Sequence, residues 1–185
     1  MRTLIVVTLL CAVAAGCATQ LPAPAPTFDN IEQLRTTGIA PLSLGEFGPG
    51  PSLPSGRDRS VSFRAESLNP PSGGTFSSYL RETISAELTA AGKLDPSAHR
   101  VLSGQLVRSE VSTLGSESRG ALGARFQLTR DGATVFDKEI VVEDTWPSSY
   151  FGAVAIPDAE NHYSALYPKL FAALLADAEF RAAAQ

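Results

Sequence analysis

The chain has 185 residues, with 15 Lys and Arg against 19 Asp and Glu, giving a formal net charge of −4 at pH 7. A mildly acidic chain whose basic residues are scattered carries no electrostatic footprint for nucleic acid, which excludes that class of partner. The length suits one ordinary domain with its own core. The only two cysteines, Cys11 and Cys17, offer little for disulfides, structural zinc or thiol catalysis.

In chain order, the first element is a leader. Met1-Arg2-Thr3 supplies a basic start, Leu4 to Ala15 an uncharged, mostly apolar run, and Gly16-Cys17 a small-residue junction. That run is too short to span a bilayer, so residues 1–16 read as a secretory signal peptide. Ala14, Ala15 and Gly16 directly before Cys17 resemble the lipobox of bacterial lipoproteins, the recognition site of signal peptidase II. The resemblance implies cleavage before Cys17, acylation of its thiol and anchoring of the mature chain on a membrane. Ala18, where an aspartate would signal inner-membrane retention, implies the periplasmic face of an outer membrane. Ordinary secretion, with Ala12-Val13-Ala14 as the cleavage site, is the competing reading. No second stretch approaches 18 consecutive apolar residues, so lipid would be the anchor.

Residues 17–36 contain Leu21-Pro22-Ala23-Pro24-Ala25-Pro26, and this alternation favours an extended spacer behind the lipidated cysteine. In its second half, Phe28, Ile31 and Leu34 would equally suit a short helix docked on the domain. A single globular domain is expected over 37–185. Its first strand is read at 38–47, on an edge because of Pro41. A Gly/Pro loop spans Gly48 to Gly56, and Val61, Phe63 and Ala65 alternate as a second strand.

The next element is a helix whose apolar residues Phe76, Leu80, Ile84 and Leu88 fall four apart, with Thr75 placed to cap it and Gly92 to end it. Three strands follow at about 100–111, 120–129 and 133–146. Asp131-Gly132 suggests a two-residue hairpin loop, but that register sets the apolar face of one strand against the polar face of the other. A three-residue loop, Arg130-Asp131-Gly132, restores matching faces: Phe126 meets Phe136, Leu122 meets Ile140, and Arg125 meets Asp137. Lys138 then falls opposite Ala124, on the apolar face, and must either snorkel to the rim or mark a cavity. A last helix is expected from about Asp158, kinked or split at Pro168.

This order predicts an α+β fold: a single, mostly antiparallel sheet of about five strands with two helices packed on one face.

Catalytic signals are weak. No G-x-S-x-G occurs, and His99 and His162 are the only histidines. His162 stands four residues after Asp158 and reads as half of a solvated pair at a helix start. Asp137, Glu139 and Glu143 share a strand face, but as a solvated face and not as a metal site. Pro70 to Thr75 reads as a turn and cap, not a phosphate loop. No catalytic residue, cofactor or metal is therefore expected. The stretch from Trp146 to Pro157 has no charge over twelve residues, and Trp146, Tyr150, Phe151, Val154 and Ile156 are its candidate contacts for a partner protein or lipid. Cover for the open end of the sheet is the plainer reading.

Two stretches, Phe76-Ser-Ser-Tyr-Leu80 with Leu88-x-x-Ala91-Gly92, and Gly152-Ala-Val-Ala-Ile-Pro157, resemble a group of uncharacterised proteobacterial envelope lipoproteins. The layout is similar to the lipopolysaccharide-assembly lipoprotein LptE and to auxiliary lipoproteins of ABC-type transport systems. The resemblance implies a non-enzymatic accessory or adaptor in envelope transport or assembly, with an envelope protein as partner. A lipid-binding carrier, with a cavity between sheet and helices holding a lipid ligand, is the alternative.

Overall fold

The computed structural model describes residues 18–64, 66–113 and 115–185. Ala14, Ala15, Gly16 and Cys17 lie outside the described residues. Seven strands and four helices follow one another as β1 (Ala18–Gln20), α1 (Phe28–Thr36), β2 (Ser43–Pro49), β3 (Val61–Phe63), β4 (Glu66–Asn69), α2 (Phe76–Ala91), β5 (Arg100–Ser112), β6 (Glu117–Arg130), β7 (Ala133–Pro147), α3 (Gly152–Ala176) and α4 (Ala178–Ala184). The α+β class holds, but the strands form two sheets instead of one. The larger has the order β2-β5-β6-β7, and the smaller β1-β4-β3.

In the larger sheet, β5, β6 and β7 form an antiparallel meander, while β2 joins β5 in parallel through α2. β2 is an edge strand, as Pro41 suggested, but its ladder begins only at Ser43, beyond the proline. The predicted strand over Val61 to Ala65 is shorter. Arg64 takes a left-handed conformation (φ 52°) and turns the chain from β3 back along β4.

The β6–β7 hairpin corrects the predicted loop. Asp131 (φ 50°) and Gly132 (φ 83°) both take positive φ, as a two-residue I′ turn requires. The faces are matched further along, where Val135 is the extra residue of a bulge between Thr134 and Phe136. The pairing is therefore offset by two residues from the prediction. Phe126 faces Lys138, Leu122 faces Val142, and Ala124 faces Ile140. Arg125 lies opposite Glu139, yet still reaches Asp137 diagonally, with Nε to Oδ1 at 2.6 Å.

α2 follows its sequence cues closely. Phe76, Leu80, Ile84 and Leu88 are fully buried, Thr75 and Ser78 form a reciprocal capping box, and Gly92 ends the helix at φ 71°. α3 departs from them. It begins six residues earlier than expected and runs unbroken through Pro157 and Pro168, and the break falls at Asp177 instead. Its inward face, with Tyr163, Leu166, Tyr167, Leu170 and Phe171 all buried, contributes far more than the one backbone hydrogen bond each proline forgoes.

Both long helices pack on one face of the larger sheet, α2 over β2 and β5, and α3 over β6 and β7. Between them Phe76 meets Tyr163 edge-on (centroids 5.4 Å apart) and Tyr79 meets Tyr167 likewise (4.7 Å). The Tyr163 hydroxyl lies 2.7 Å from the Ser109 hydroxyl and 3.1 Å from that of Tyr167, so these buried polar atoms are satisfied. Burial pushes both phenols well above their ordinary pKa.

Residues 18–36 are packed on the body instead of forming a free spacer. Ala18–Gln20 add to β4 in parallel, the Leu21 amide donates to the Asn69 carbonyl at 3.0 Å, and the Leu21 side chain is buried. The Tyr79 hydroxyl donates to the Pro22 carbonyl. α1 then bridges α2 and α3 with Leu34 fully buried, the docked helix that Phe28, Ile31 and Leu34 allowed, although Phe28 itself stays exposed. The physical reason lies on α2. Tyr79, Thr83 and Glu87, four apart beside the apolar stripe, are buried as well, and two of them present polar atoms to this segment.

Candidate functional site

The uncharged stretch 146–157 divides into a buried and an exposed part. Trp146, last but one in β7, faces the core and is almost fully buried. Its ring stacks on His162 with centroids 4.3 Å apart and planes 2° from parallel. Ile156 is half-buried against the core, and Ala155 is buried beside it. Trp146 is therefore structural cover, which corrects it as a contact candidate, while Ile156 keeps only part of its side chain accessible. Tyr150, Phe151 and Val154 point outward, 88%, 78% and 51% exposed. They form an apolar lip where the loop after β7 enters α3.

The lip stands on a fixed base. Arg64, at the turn between β3 and β4, donates from Nη2 to the Ser149 carbonyl at 2.6 Å and to the Ser148 hydroxyl at 3.3 Å. Its Nε donates to the Thr113 hydroxyl at 3.2 Å, and the Ser148 amide donates to the Ser116 carbonyl. One guanidinium thus ties the small sheet, the β5–β6 turn and the segment before Tyr150 together. Arg64 escaped the sequence reading, because nothing in a β-turn arginine forecasts a partner 85 residues away.

His162 does not pair with Asp158. Its Nδ1 lies 2.7 Å from Asp144 Oδ2 across the α3–β7 interface, and Lys169 approaches the same carboxyl at 3.7 Å. Burial pushes the Asp144 carboxyl up, but the His162 hydrogen bond and the Lys169 charge outweigh this and hold it below the ordinary range. Among the described residues no hydroxyl hydrogen-bonds the His162 ring. Two of the three strand-face carboxylates have partners of their own: Asp137 binds Arg125, and Glu143 binds Arg108 at 2.6 Å. Among the described residues no group of three His, Cys, Asp or Glu side chains could hold a metal.

Lys138 resolves in favour of the rim. Its Nζ reaches Asp177 Oδ2 at 2.8 Å, and the hydrogen bond raises the lysine pKa while lowering that of the aspartate. Asp177 also caps α4 by accepting from the Glu179 and Phe180 amides. The space between sheet and helices is filled by Phe76, Phe126, Tyr163, Tyr167 and Phe171, all fully buried. A cleft of about 460 Å³ lies elsewhere, on the opposite face of the sheet among Phe47, Gln105, Arg125 and Asp137. Among the described residues no helix is long and apolar enough to cross a membrane.

Asp144 and Asp177, two of the carboxyls held below the ordinary range, give a pH prediction. A carboxyl held lower in the folded than in the unfolded state stabilises fully above its unfolded pKa of ~3.9, and this is lost as pH falls through the folded value. Urea midpoints should therefore decline as pH drops below about 4. Asp177→Asn, which keeps an N-cap acceptor, should make that decline shallower.

No family model matches the sequence, and no curated protein matches it. Among solved structures, the fold is similar to that of a Xanthomonas campestris protein of family DUF330, at a TM-score of 0.56 and 14% identity, over 86% of this chain and 95% of that one. A minor lipoprotein of Acinetobacter baumannii aligns over 75% of this chain and 94% of its own, with a TM-score of 0.40 and 14% identity. A lipoprotein of Neisseria meningitidis aligns over 72% and 99%, with a TM-score of 0.38 and 11% identity. The first likeness shows a shared fold; the other two are too loose to carry an argument.

Proposed function

We propose that this protein is an envelope lipoprotein, anchored through acylated Cys17 on the periplasmic face of an outer membrane, and that it works as a non-enzymatic accessory in envelope transport or assembly. The observation that carries the reading is the junction at residue 17. An apolar leader ends in Ala14-Ala15-Gly16-Cys17, and the next residue, Ala18, is already paired with Ser67 in the β1–β4 ladder. Cleavage before Cys17 would leave β1 and all later elements intact. The accessory role is favoured over the lipid carrier by the filled space between helices and sheet and by Lys138 turning to Asp177. The contact surface for an envelope protein partner would be the outer edge of β7, fifteen residues long, with Val135 and Val141 partly exposed along it.

Cys17→Ser tests the anchor. Incorporation of labelled palmitate should vanish, and the protein should leave the membrane fraction or accumulate as uncleaved precursor. Undiminished incorporation of palmitate by the serine variant would refute lipidation at Cys17. Mild detergent extraction followed by mass spectrometry tests the role, since a stoichiometric protein partner supports the accessory and bound lipid without one favours the carrier.

A further inference from the structure

We infer that Tyr150, Phe151 and Val154 form a membrane-contacting lip, inserted at the interface of the bilayer that holds the Cys17 anchor. The inference rests on the anchoring reading and adds to it an orientation of the body. Six large hydrophobic side chains are exposed among the described residues, and three of them fall within residues 150–154. No charged residue lies between Trp146 and Pro157 to oppose insertion.

The topology brings lip and anchor to the same end of the molecule. β1 runs parallel to β4, with Ala18 beside Ser67, so Cys17 precedes the ladder at the end where the chain turns from β3 into β4. That turn carries Arg64, whose guanidinium holds the Ser149 carbonyl immediately before Tyr150. Two strand spacings of ~4.8 Å plus one arginine side chain put the lip on the order of 20 Å from Ala18. Because residues 18–36 are packed on the body, only Cys17 separates the acyl chains from β1. The lipid therefore holds this end against the headgroups, and what projects there meets the bilayer. Tyrosine and phenylalanine suit that boundary, since their rings partition into the interface and the tyrosine hydroxyl stays wet. The Asp131-Gly132 hairpin is at the far end of β6 and β7, about 40 Å away at ~3.3 Å per residue.

The test uses the full-length lipoprotein, reconstituted in vesicles of phosphatidylethanolamine and phosphatidylglycerol that contain a headgroup-region nitroxide lipid. Cys11 leaves with the leader and Cys17 is acylated, so a cysteine introduced as Val154→Cys, or as Thr134→Cys in the hairpin, can be labelled selectively with an environment-sensitive dye. Mass spectrometry of the same sample reports acylation. With Cys17 acylated, we expect the dye at 154 to shift blue and lose most of its emission to the nitroxide, while the dye at 134 keeps its own. Equal quenching at both positions, or none at 154, in acylated protein overturns the lip and leaves the anchor standing; such a surface would be free for a protein partner. Unacylated Cys17 in membrane-extracted protein overturns the anchor, and the lip with it.

Discussion

Glu87→Ala should destabilise the protein by about 3–5 kcal/mol, enough to threaten folding of an ordinary domain. Glu87 sits on α2, fully buried, with no salt-bridge partner among the described residues, and its two oxygens accept from the Thr27 amide (3.0 Å), the Thr27 hydroxyl (2.9 Å) and the Asn30 side-chain Nδ2 (3.0 Å). Thr27 is the N-cap of α1, and its own side chain caps nothing. The carboxyl of a second helix thus holds the start of the first. Truncation strands three donors at once. Asn30, itself buried, keeps only its bond to the Pro168 carbonyl. Each buried donor left unsatisfied costs about 1–3 kcal/mol, and the cavity adds to that. Glu87→Gln keeps an acceptor oxygen and should cost about half as much or less. Equilibrium urea denaturation gives the energies. Limited proteolysis between residues 20 and 37 reports whether the segment has come off. A loss below about 1 kcal/mol for the alanine variant would mean that apolar packing around Leu34 holds the segment without this carboxyl.

How much of the fold was legible depended on how local its causes are. α2 was readable because its stripe, its cap and its terminating glycine all act within one or two turns. The hairpin was readable in part. Matching faces do decide its register, but Asp131-Gly132 kept the two-residue turn their types favour, and the parity was restored by a bulge at Val135. Nothing in the local sequence marks that valine. The first half of the N-terminal segment was misread because proline-alanine alternation describes how a free chain behaves, whereas its position is set by partners on β4 and α2. The signal available was a second line of positions on α2, Tyr79, Thr83 and Glu87, which a soluble helix would leave in water. In the candidate site, the absence of charge over 146–157 identified the segment, but not which side chains face out. That split follows from α3 beginning at Gly152, which turns Ala155 and Ile156 inward and leaves Tyr150, Phe151 and Val154 outside.

At the other end of α2, Asp58→Ala should cost about 2–4 kcal/mol. Asp58 closes the loop after β2, is almost fully buried, and meets the helix start through three hydrogen bonds. Its backbone carbonyl accepts from the Phe76 amide at 2.7 Å, Oδ1 from the Ser77 amide at 2.7 Å, and Oδ2 from the Ser77 hydroxyl at 2.8 Å. Thr75 accepts from the Ser78 amide, so the loop and the cap divide the first-turn donors of α2 between them. A carboxyl placed here also faces the positive end of the helix dipole. The alanine variant removes both side-chain acceptors that join the loop to the helix, whereas Thr75→Ala removes one partly buried cap worth about 1 kcal/mol. The ranking of the two variants in urea denaturation is therefore the informative result. If Asp58→Ala costs more, the loop is latched to α2 by its side chain. If Thr75→Ala costs as much, the Phe76 amide bond to the Asp58 carbonyl, which both variants keep, already holds the loop, and the carboxyl serves the helix only as a second cap.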